Sequence, residues 1–369
     1  MKNYDIKIRV CEPDITDKEL AYVTEAIRKN ELSSIAEPVR KFEEAFAKKY
    51  GVKHAIAVNS GGSALFLVMK ALGIKEGDEV IMPAFTMIAT AAAVSHCGGT
   101  PVFVDSEKED LNMDVSKIRE KITPRTKAII PVHIYGQPAK MDEIMKLAKE
   151  YNLAVVEDAA EAHGAKYKGK LTGTFGTAAC FSFYANKIIT TGEGGMIITN
   201  DDNLADRLRH IRGYDFDDEK HFWHKTSAWN LRMPSLAAAL GLAQLERFEE
   251  LVEKRRNNAS YYMERLKDLP GITFFPELPD TFSVFWMFGI LVQKRNELME
   301  FLFENGIETR TFFIPMHKQP VHQHLKDAKE EFPNADRFGA EGFYLPSSSH
   351  LSSEEKDYVI SKIKEFYGV

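Results

Sequence analysis

Lys187 stands between an aromatic, β-prone run and a Thr-Thr-Gly-Glu-Gly-Gly turn, in the stretch "FSFYANKIITTGEGGMIITND" from Phe181 to Asp201. A lysine among aromatic strand residues and small turn residues is partly desolvated, which lowers its pKa and makes its amine nucleophilic. An exposed loop lysine is the plain alternative. Upstream, Glu157-Asp158 closes the apolar run "LAVVED". A carboxylate there can hold a cationic ring nitrogen, keeping the ring protonated and so acidifying carbons conjugated to it. Equally, Asp158 can cap a helical turn begun by "DAAEAHG". Further upstream, Asn59-Ser60-Gly61-Gly62-Ser63 joins a predicted strand to a predicted helix. Glycines let a ligand approach the backbone, and free amides at a helix start favour a phosphate; a tight turn has the same composition. The stretch is neither a Walker A loop nor G-x-G-x-x-G. What shifts the balance is the combination: a phosphate cradle, a ring-nitrogen carboxylate and a Schiff-base lysine follow in order, each at a predicted strand end, where open parallel sheets bind ligands. His163 reads as a ring-packing residue rather than a metal ligand, because no second ligand lies at helical or strand spacing.

The elements that must position these residues alternate. A Thr16–Glu19 capping box opens a helix to about Lys29, and "PVRKFEEAFAKKYG" gives a second helix closed by Gly51. Strand "HAIAVNS", helix "SALFLVMKALG", strand "EVIMP", helix "TMIATAAAVSHCG" and strand "TPVFVD" follow. Next come a helix from about Asp114, strand "KAIIPV", helix "MDEIMKLAKEY" and strand "LAVVED". Continuous apolar strands between helices predict a mainly parallel sheet covered on both faces, an α/β fold. "AACFSFY" and "GMIITN" lack a full helix between them and are expected to form an extra pair at the sheet. After Asp201 come a helix to about Arg212, a polar aromatic loop, and unusually long helical periodicity from "PSLAAALGLAQLERF" onward. The remainder, with strands near "FSVFWMFGILV" and "GIETRTFFI" and helices near "RNELMEFLFEN" and "SSEEKDYVISKIKEF", predicts a smaller α+β lobe. The expected division is residues 1–245 for a large domain and 246–369 for a small C-terminal one.

Composition narrows the function classes. The chain has 369 residues, 44% of them hydrophobic and 28% charged, with 48 basic and 54 acidic side chains intermixed for a formal net charge of −6. An ordinary globular protein is implied, and no basic block offers a nucleic-acid footprint. The N-terminal stretch lacks the apolar core of a signal peptide, and no apolar run is long enough to span a bilayer, so a cytoplasmic protein is expected. Cys11, Cys97 and Cys180 form no C-x-x-C pair and read as reduced, mostly buried thiols; neither disulfides nor a metal site are expected.

Taken together, "VNSGGSAL", "VVEDAAEAHGA", the Lys187 segment and "WNLRMPSLAAALGLAQLERF" resemble the DegT/DnrJ/EryC1/StrS family of pyridoxal-phosphate sugar aminotransferases, over nearly the whole chain. Within it, "HIYGQPAKMDEI", "FWMF" and "GIETRTFFIPMHKQPV" are most similar to the branch of GDP-perosamine synthases, which aminate C4 of GDP-4-keto-6-deoxymannose. The resemblance implies a fold-type I, aspartate-aminotransferase-like architecture and a homodimer with shared active sites. L-glutamate would be the amino donor, and pyridoxamine phosphate would form in passing. Lys187 would hold the cofactor covalently and shuttle the proton. Asp158 would pair with the pyridine nitrogen and Glu161 would sit near the ring hydroxyl. The amides of Gly62 and Ser63 and the hydroxyl of Ser182 would bind the phosphate, Asn230 would reach it from the partner subunit, and His317 would lie near the sugar. This chain departs from the family twice: Met87 replaces the usual aromatic residue stacked on the cofactor, and Gly61-Gly62 replaces the usual Gly-Thr. An aminotransferase acting on a UDP- or dTDP-linked keto sugar is the rival enzyme. A sugar 3-dehydratase, which carries His at the lysine position, is opposed by Lys187, and a non-catalytic regulatory protein by the intact Asp158, Ser182, Lys187 and Asn230 set.

Overall fold

The computed structural model describes residues 6–220 and 222–369; the first five residues of the N-terminal stretch and position 221 of the aromatic loop lie outside the described residues. The chain opens with α1 (Asp17–Arg28) and α2 (Glu37–Tyr50). Then β1 (His54–Val58), α3 (Gly61–Ala71), β2 (Glu79–Pro83), α4 (Ile88–Ser95) and β3 (Thr100–Val104) alternate. After a short α5 (Ile118–Lys121) come β4 (Thr126–Ile129), α6 (Met141–Tyr151) and β5 (Ala154–Asp158). The small strands β6 (Lys166–Tyr167) and β7 (Lys170–Leu171) precede β8 (Ala178–Ser182), β9 (Gly195–Thr199) and α7 (Asp202–Arg212). The local signals behind these elements are present: the reciprocal Thr16–Glu19 capping box opens α1, and Gly51, at φ +65°, closes α2 in the left-handed conformation. The helix expected from Asp114 is cut to a 3₁₀ turn, Val115–Lys117, and one turn of α-helix, because Ile122 leaves the helical region at ψ 126°.

The seven strands order as β1-β9-β8-β5-β4-β2-β3, and β9 alone runs antiparallel to its neighbours. The pair read from "AACFSFY" and "GMIITN" is therefore threaded into the sheet between β1 and β5. This topology explains why three sequence motifs far apart in the chain meet. β8 is parallel to β5, with Asp158 level with Cys180, so the chain leaves both strands at one edge. β1 is antiparallel to β9, which is antiparallel to β8, so the Ser60-Gly61-Gly62 turn after β1 emerges at that same edge. Rings from α2 hold β8 in place: Phe46 lies 5.1 Å from Phe181 and Phe42 lies 5.2 Å from Phe183, with all four fully buried. Such edge-to-face and tilted packing makes the sheet end a rigid platform.

The long helical stretch is two helices, α8 (Ser235–Glu246) and α9 (Phe248–Leu266), broken where Arg247 adopts φ −102° and ψ 10°. The side chain of Arg247 is anchored to the backbone and carboxylate of Asp14 and to Glu19, which turns the chain there. α8 packs on α1 and α2, whereas α9 packs on α12 (Ser353–Tyr367), which opens with a second capping box at Ser352 and Glu355. The C-terminal sheet has the order β10-β12-β14-β13, formed by β10 (Ile272–Phe274), β12 (Phe288–Val292), β13 (Arg310–Thr311) and β14 (Gly342–Leu345). α10 (Arg295–Glu304) and α11 (Pro333–Glu341) complete this region, with a core including Tyr262, Phe288, Ile290, Leu302 and Val359. The strand expected over "FSVFWMFGILV" is interrupted: β11 (Thr281–Phe282) pairs with β6, and Phe285, at φ +45°, turns the chain before β12. That interruption frees Trp286 from any strand ladder. No helix among the described residues is long and apolar enough to cross a membrane.

Candidate functional site

At the shared strand edge lies a cavity of about 410 Å³. Asp158, Glu161, Ser182 and Lys187 line it from the large sheet, Ser60, Gly61, Gly62 and Met87 from the turns after β1 and β2, and Trp286, Arg310, Phe313 and Tyr344 from the C-terminal region.

The turn "TTGEGG" exists to hold the lysine loop. Thr190 Oγ1 donates to the Phe183 carbonyl at 2.9 Å and accepts from the Gly192 amide at 2.9 Å, while the Phe183 and Thr191 amides donate to the carbonyls of Gly194 and Phe183 at 2.9 Å each. A Cβ at Gly195 would lie 2.4 Å from the Ser60 carbonyl oxygen, so only glycine lets β9 pass beneath the turn after β1. The loop presents Lys187 inward, its side chain 9% exposed, with Nζ 3.9 Å from Glu161 Oε1 and 3.5 Å above the centre of the Trp286 ring. Burial pushes the amine below the ordinary lysine range, while the charges of Glu161 and Asp158 pull it back up.

Asp158 ends β5. Its Oδ2 accepts from Thr90 Oγ1 at 2.8 Å and its Oδ1 from the Ala160 amide at 3.2 Å, so the carboxylate both caps the turn after β5 and faces the cavity. Burial raises its pKa, and the bonds from Thr90 and Ala160 and the charge of Lys187 oppose the rise. Glu161 is buried likewise; burial pushes its carboxyl up to about 7, against the pull of Lys187, and Oε2 accepts from the Tyr135 amide at 2.8 Å. The neighbouring Glu157 does different work. Its two oxygens accept the amides of Gly173, Phe175 and Gly176 at 2.6–2.8 Å and face His133 Nε2 at 3.2 Å, which ties the return to β8 against β5.

At the other end, Ser60 caps α3. The Ser63 amide donates to Ser60 Oγ at 3.1 Å and the Ala64 amide to the Ser60 carbonyl at 3.1 Å. An α-helix cannot satisfy its first amides internally, so those of Gly61 and Gly62 have no helical partner, and both residues line the cavity. The Ser63 amide, expected at the phosphate, is bonded to the Ser60 cap in this structure, and Ser63 lines an adjoining cavity of about 310 Å³. Ser182 lies against this turn so closely that a Cβ on Gly61 would sit 2.7 Å from its own Cβ.

These residues fit pyridoxal phosphate: a buried amine, a buried carboxylate for the ring nitrogen, and two open amides plus a serine hydroxyl at a helix start for the phosphate. Met87 is the N-cap residue of α4, 49% exposed and on the cavity wall, whereas its neighbours Phe85 and His163 are fully buried and absent from that wall. A polarizable sulfur against a ring contributes about 0.3–1.5 kcal/mol, overlapping the ~0.5–1.5 kcal/mol of an aromatic pair. Met87→Ala is therefore expected to weaken cofactor binding up to about ten-fold in a titration of apo-protein, and Met87→Tyr to leave it equal or tighter. An unchanged affinity in Met87→Ala would remove Met87 from the cofactor.

Besides Ser63, two expected site residues lie outside this wall. His317 is not on it: the 3₁₀ turn Met316–Lys318 buries the ring 4.6 Å from Phe332, with Nε2 2.9 Å from Asp336. Asn230 is exposed, its Oδ1 accepting from Arg232 Nε at 2.9 Å. Sequence reasoning missed Thr90, Trp286, Arg310 and Tyr344. "FWMF" and "GIETRTFFI" flagged the neighbourhoods of Trp286 and Arg310; nothing local marks Thr90. His163 packs 5.5 Å and 5.7 Å from the rings of Phe181 and Phe183, and burial drives its pKa down to about 3, so it is neutral. Among the described residues no group of three or more His, Cys, Asp or Glu side chains could hold a metal ion.

Comparison with known proteins extends the geometry. The sequence profile of the DegT/DnrJ/EryC1/StrS aminotransferase family matches residues 13–364. A protein of Escherichia coli O157:H7 named GDP-perosamine synthase is 43% identical over 98% of this chain and 98% of its own. A protein of that name from Caulobacter vibrioides is 43% identical over 97% and 98%. Among solved structures, S. venezuelae DesV in complex with a ketimine intermediate superposes with a TM-score of 0.92 at 34% identity, covering 99% of both chains.

Proposed function

Because the chain belongs to the DegT/DnrJ/EryC1/StrS aminotransferase family, whose members are pyridoxal-phosphate-dependent sugar aminotransferases, we propose that it moves the amino group of L-glutamate to C4 of GDP-4-keto-6-deoxymannose, giving 2-oxoglutarate and GDP-perosamine. The observation that carries the reaction class is the buried amine of Lys187 beside the buried carboxylate of Glu161, with the buried Asp158 on the wall of the same cavity. The relatives named GDP-perosamine synthase, at 38–43% identity over 97–98% of the chain, support the sugar.

Pyridoxal phosphate, when bound, supplies an electron sink for the pair left behind when a proton leaves the carbon bearing nitrogen. The chain's residues do the rest. Gly61, Gly62 and Ser182 hold the phosphate, and Asp158 holds the proton on the ring nitrogen, its carboxylate fixed by Thr90 and Ala160. The Lys187 amine, whose pKa burial lowers, is the base that accepts the proton leaving the α-carbon of glutamate. In the second half-reaction the same amine delivers a proton to C4 of the sugar. Burial of Lys187 keeps water from competing for that proton. Arg310, the guanidinium on the wall, receives substrate oxyanions. The two lobes, 1–245 and 246–369, meet across this cavity and divide at the break beside Arg247. The enzyme works in the cytoplasm, where its three free thiols stay reduced.

The site is shared between two chains on this reading, since Asn230 and the aromatic loop stand exposed beside the adjoining cavity. Mixing Lys187→Ala subunits with Asn230→Ala subunits should then restore activity, because one of the two sites in each hybrid keeps both residues. No recovery after demonstrated subunit exchange would rule out sharing. The substrate is tested by a panel of GDP-, UDP- and dTDP-linked keto sugars with glutamate, read as kcat/KM for amino-sugar formation. The GDP sugar should lead by at least about ten-fold; a lead for a UDP or dTDP sugar overturns the sugar and leaves the reaction class standing.

A further inference from the structure

The Lys187 amine has two unlike partners. One is Glu161, a carboxylate that can take its proton. The other is the face of Trp286, 3.5 Å from Nζ at the ring centre and closer than the carboxylate oxygen at 3.9 Å. Trp286 is 3% exposed and held from several sides: its Nε1 donates to the Asn186 carbonyl at 2.8 Å, its main-chain carbonyl accepts from Arg255 at 3.2 Å, and its ring lies 6.1 Å from that of Tyr135. The lysine side chain, by contrast, has four freely rotating carbons. A fixed ring therefore meets a movable cation.

We propose that Trp286 is a positioning residue for transamination, its indole face receiving the ammonium of Lys187 whenever that amine is not bonded to the cofactor. The chemistry of a π face suits this task. It attracts a cation through the ring quadrupole but has no lone pair to accept the proton. The ammonium is held without being neutralised, and it keeps the proton it must later deliver. Once that proton is given up, the attraction disappears and the neutral amine is free to swing to a carbon. Glu161, Asp158 and Cys11 face the same amine as anions or polar acceptors, and the neutral His163 lies close enough to feel its charge. None of them offers a cation a partner that is incapable of taking its proton. Desolvation strengthens the contact here, since burial removes water as a competing partner.

The proposal rests on Lys187 being the reactive amine and on nothing about which sugar is used, so its test begins with apo-protein. Indole emission of the parent should change through the pH range in which Lys187 loses its proton, and Lys187→Met, with the other tryptophans intact, should lack that transition. The rate at which an amine reagent labels Lys187, followed by peptide mapping, gives the same midpoint. In Trp286→Leu that midpoint should fall by about one pH unit, a ten-fold change in proton affinity, because the protonated form loses its partner. The glutamate half-reaction of the loaded enzyme should slow about ten-fold with little change in KM, whereas Trp286→Phe, which keeps a ring face but cannot donate to Asn186, should stay within about three-fold. If Trp286 acted only as a tether for the Asn186 carbonyl, Phe and Leu would be equally impaired and the midpoint would not move. That result, or identical emission profiles for the parent and Lys187→Met, overturns the proposal even if Trp286→Leu fails to fold.

Discussion

Lys187→Ala should fold normally and lose amino transfer by about 10⁴-fold or more, the sum of a missing covalent attachment and a missing proton carrier. The stability half of this expectation follows from the site: burial disfavours the lysine charge, so relief of that desolvation offsets the lost contacts with Glu161 and Trp286. Calorimetry should therefore find a Tm equal to or above that of the parent, while product formation falls to background. Glu161, left without its cation, can take up a proton, since burial already pushes its carboxyl up to about 7. A variant that retained more than about one per cent of parental turnover would mean that another amine carries the proton. Small added amines give a second check, because a free base of suitable size can enter the space vacated by the side chain and recover part of the rate.

Asp158→Asn is expected to cost about 10²–10³ in the rate of each half-reaction, the scale seen when a preorganised electrostatic partner is withdrawn from a developing charge. The substitution conserves shape, and the new amide oxygen can still accept from Thr90 or the Ala160 amide, so the turn after β5 persists. Single-turnover absorbance changes with glutamate alone separate this loss from any effect on the sugar. The competing view, in which Asp158 is only the cap of its turn, makes the opposite prediction: a stability loss of about 1 kcal/mol with kcat nearly intact. Both bonds of the carboxylate in the structure, from Thr90 and the Ala160 amide, belong to its structural role, and kinetics tells whether it also serves the ring nitrogen.

Much of the architecture is legible in the sequence because its signals are local. The Thr16–Glu19 cap, Gly51 and the apolar strands each announce their element within a few residues. The placement of Lys187 and Asp158 on one cavity wall was legible for the same reason, each lying after a strand beside a diagnostic turn. What was not legible depended on partners that meet only in the fold. The break at Arg247 is invisible in a run of continuous helical periodicity, because Asp14 and Glu19, which turn it, come from the opposite end of the chain. Ser63 and Gly62 look alike as amide donors until the Ser60 side chain is seen to claim one of them. His317 was expected near the sugar by resemblance alone, and its turn packs it against Phe332, off the cavity wall. Thr90 sits in a helix of small residues with no chemical signature and acquires a role only when α4 packs over the end of β5. Trp286 reaches the cavity because Phe285 adopts a positive φ that no strand pattern predicts.

The account turns on one bond, between the cofactor and one lysine out of many. Reducing the loaded protein with borohydride, digesting it and mapping the pyridoxyl group by mass spectrometry tests this directly. The expected result is a single labelled peptide containing "YANKIITTGEGG" with the label on Lys187, and no label in Lys187→Ala. Label on any other lysine, with Lys187 unmodified, would contradict the assignment of the site and the mechanism built on it.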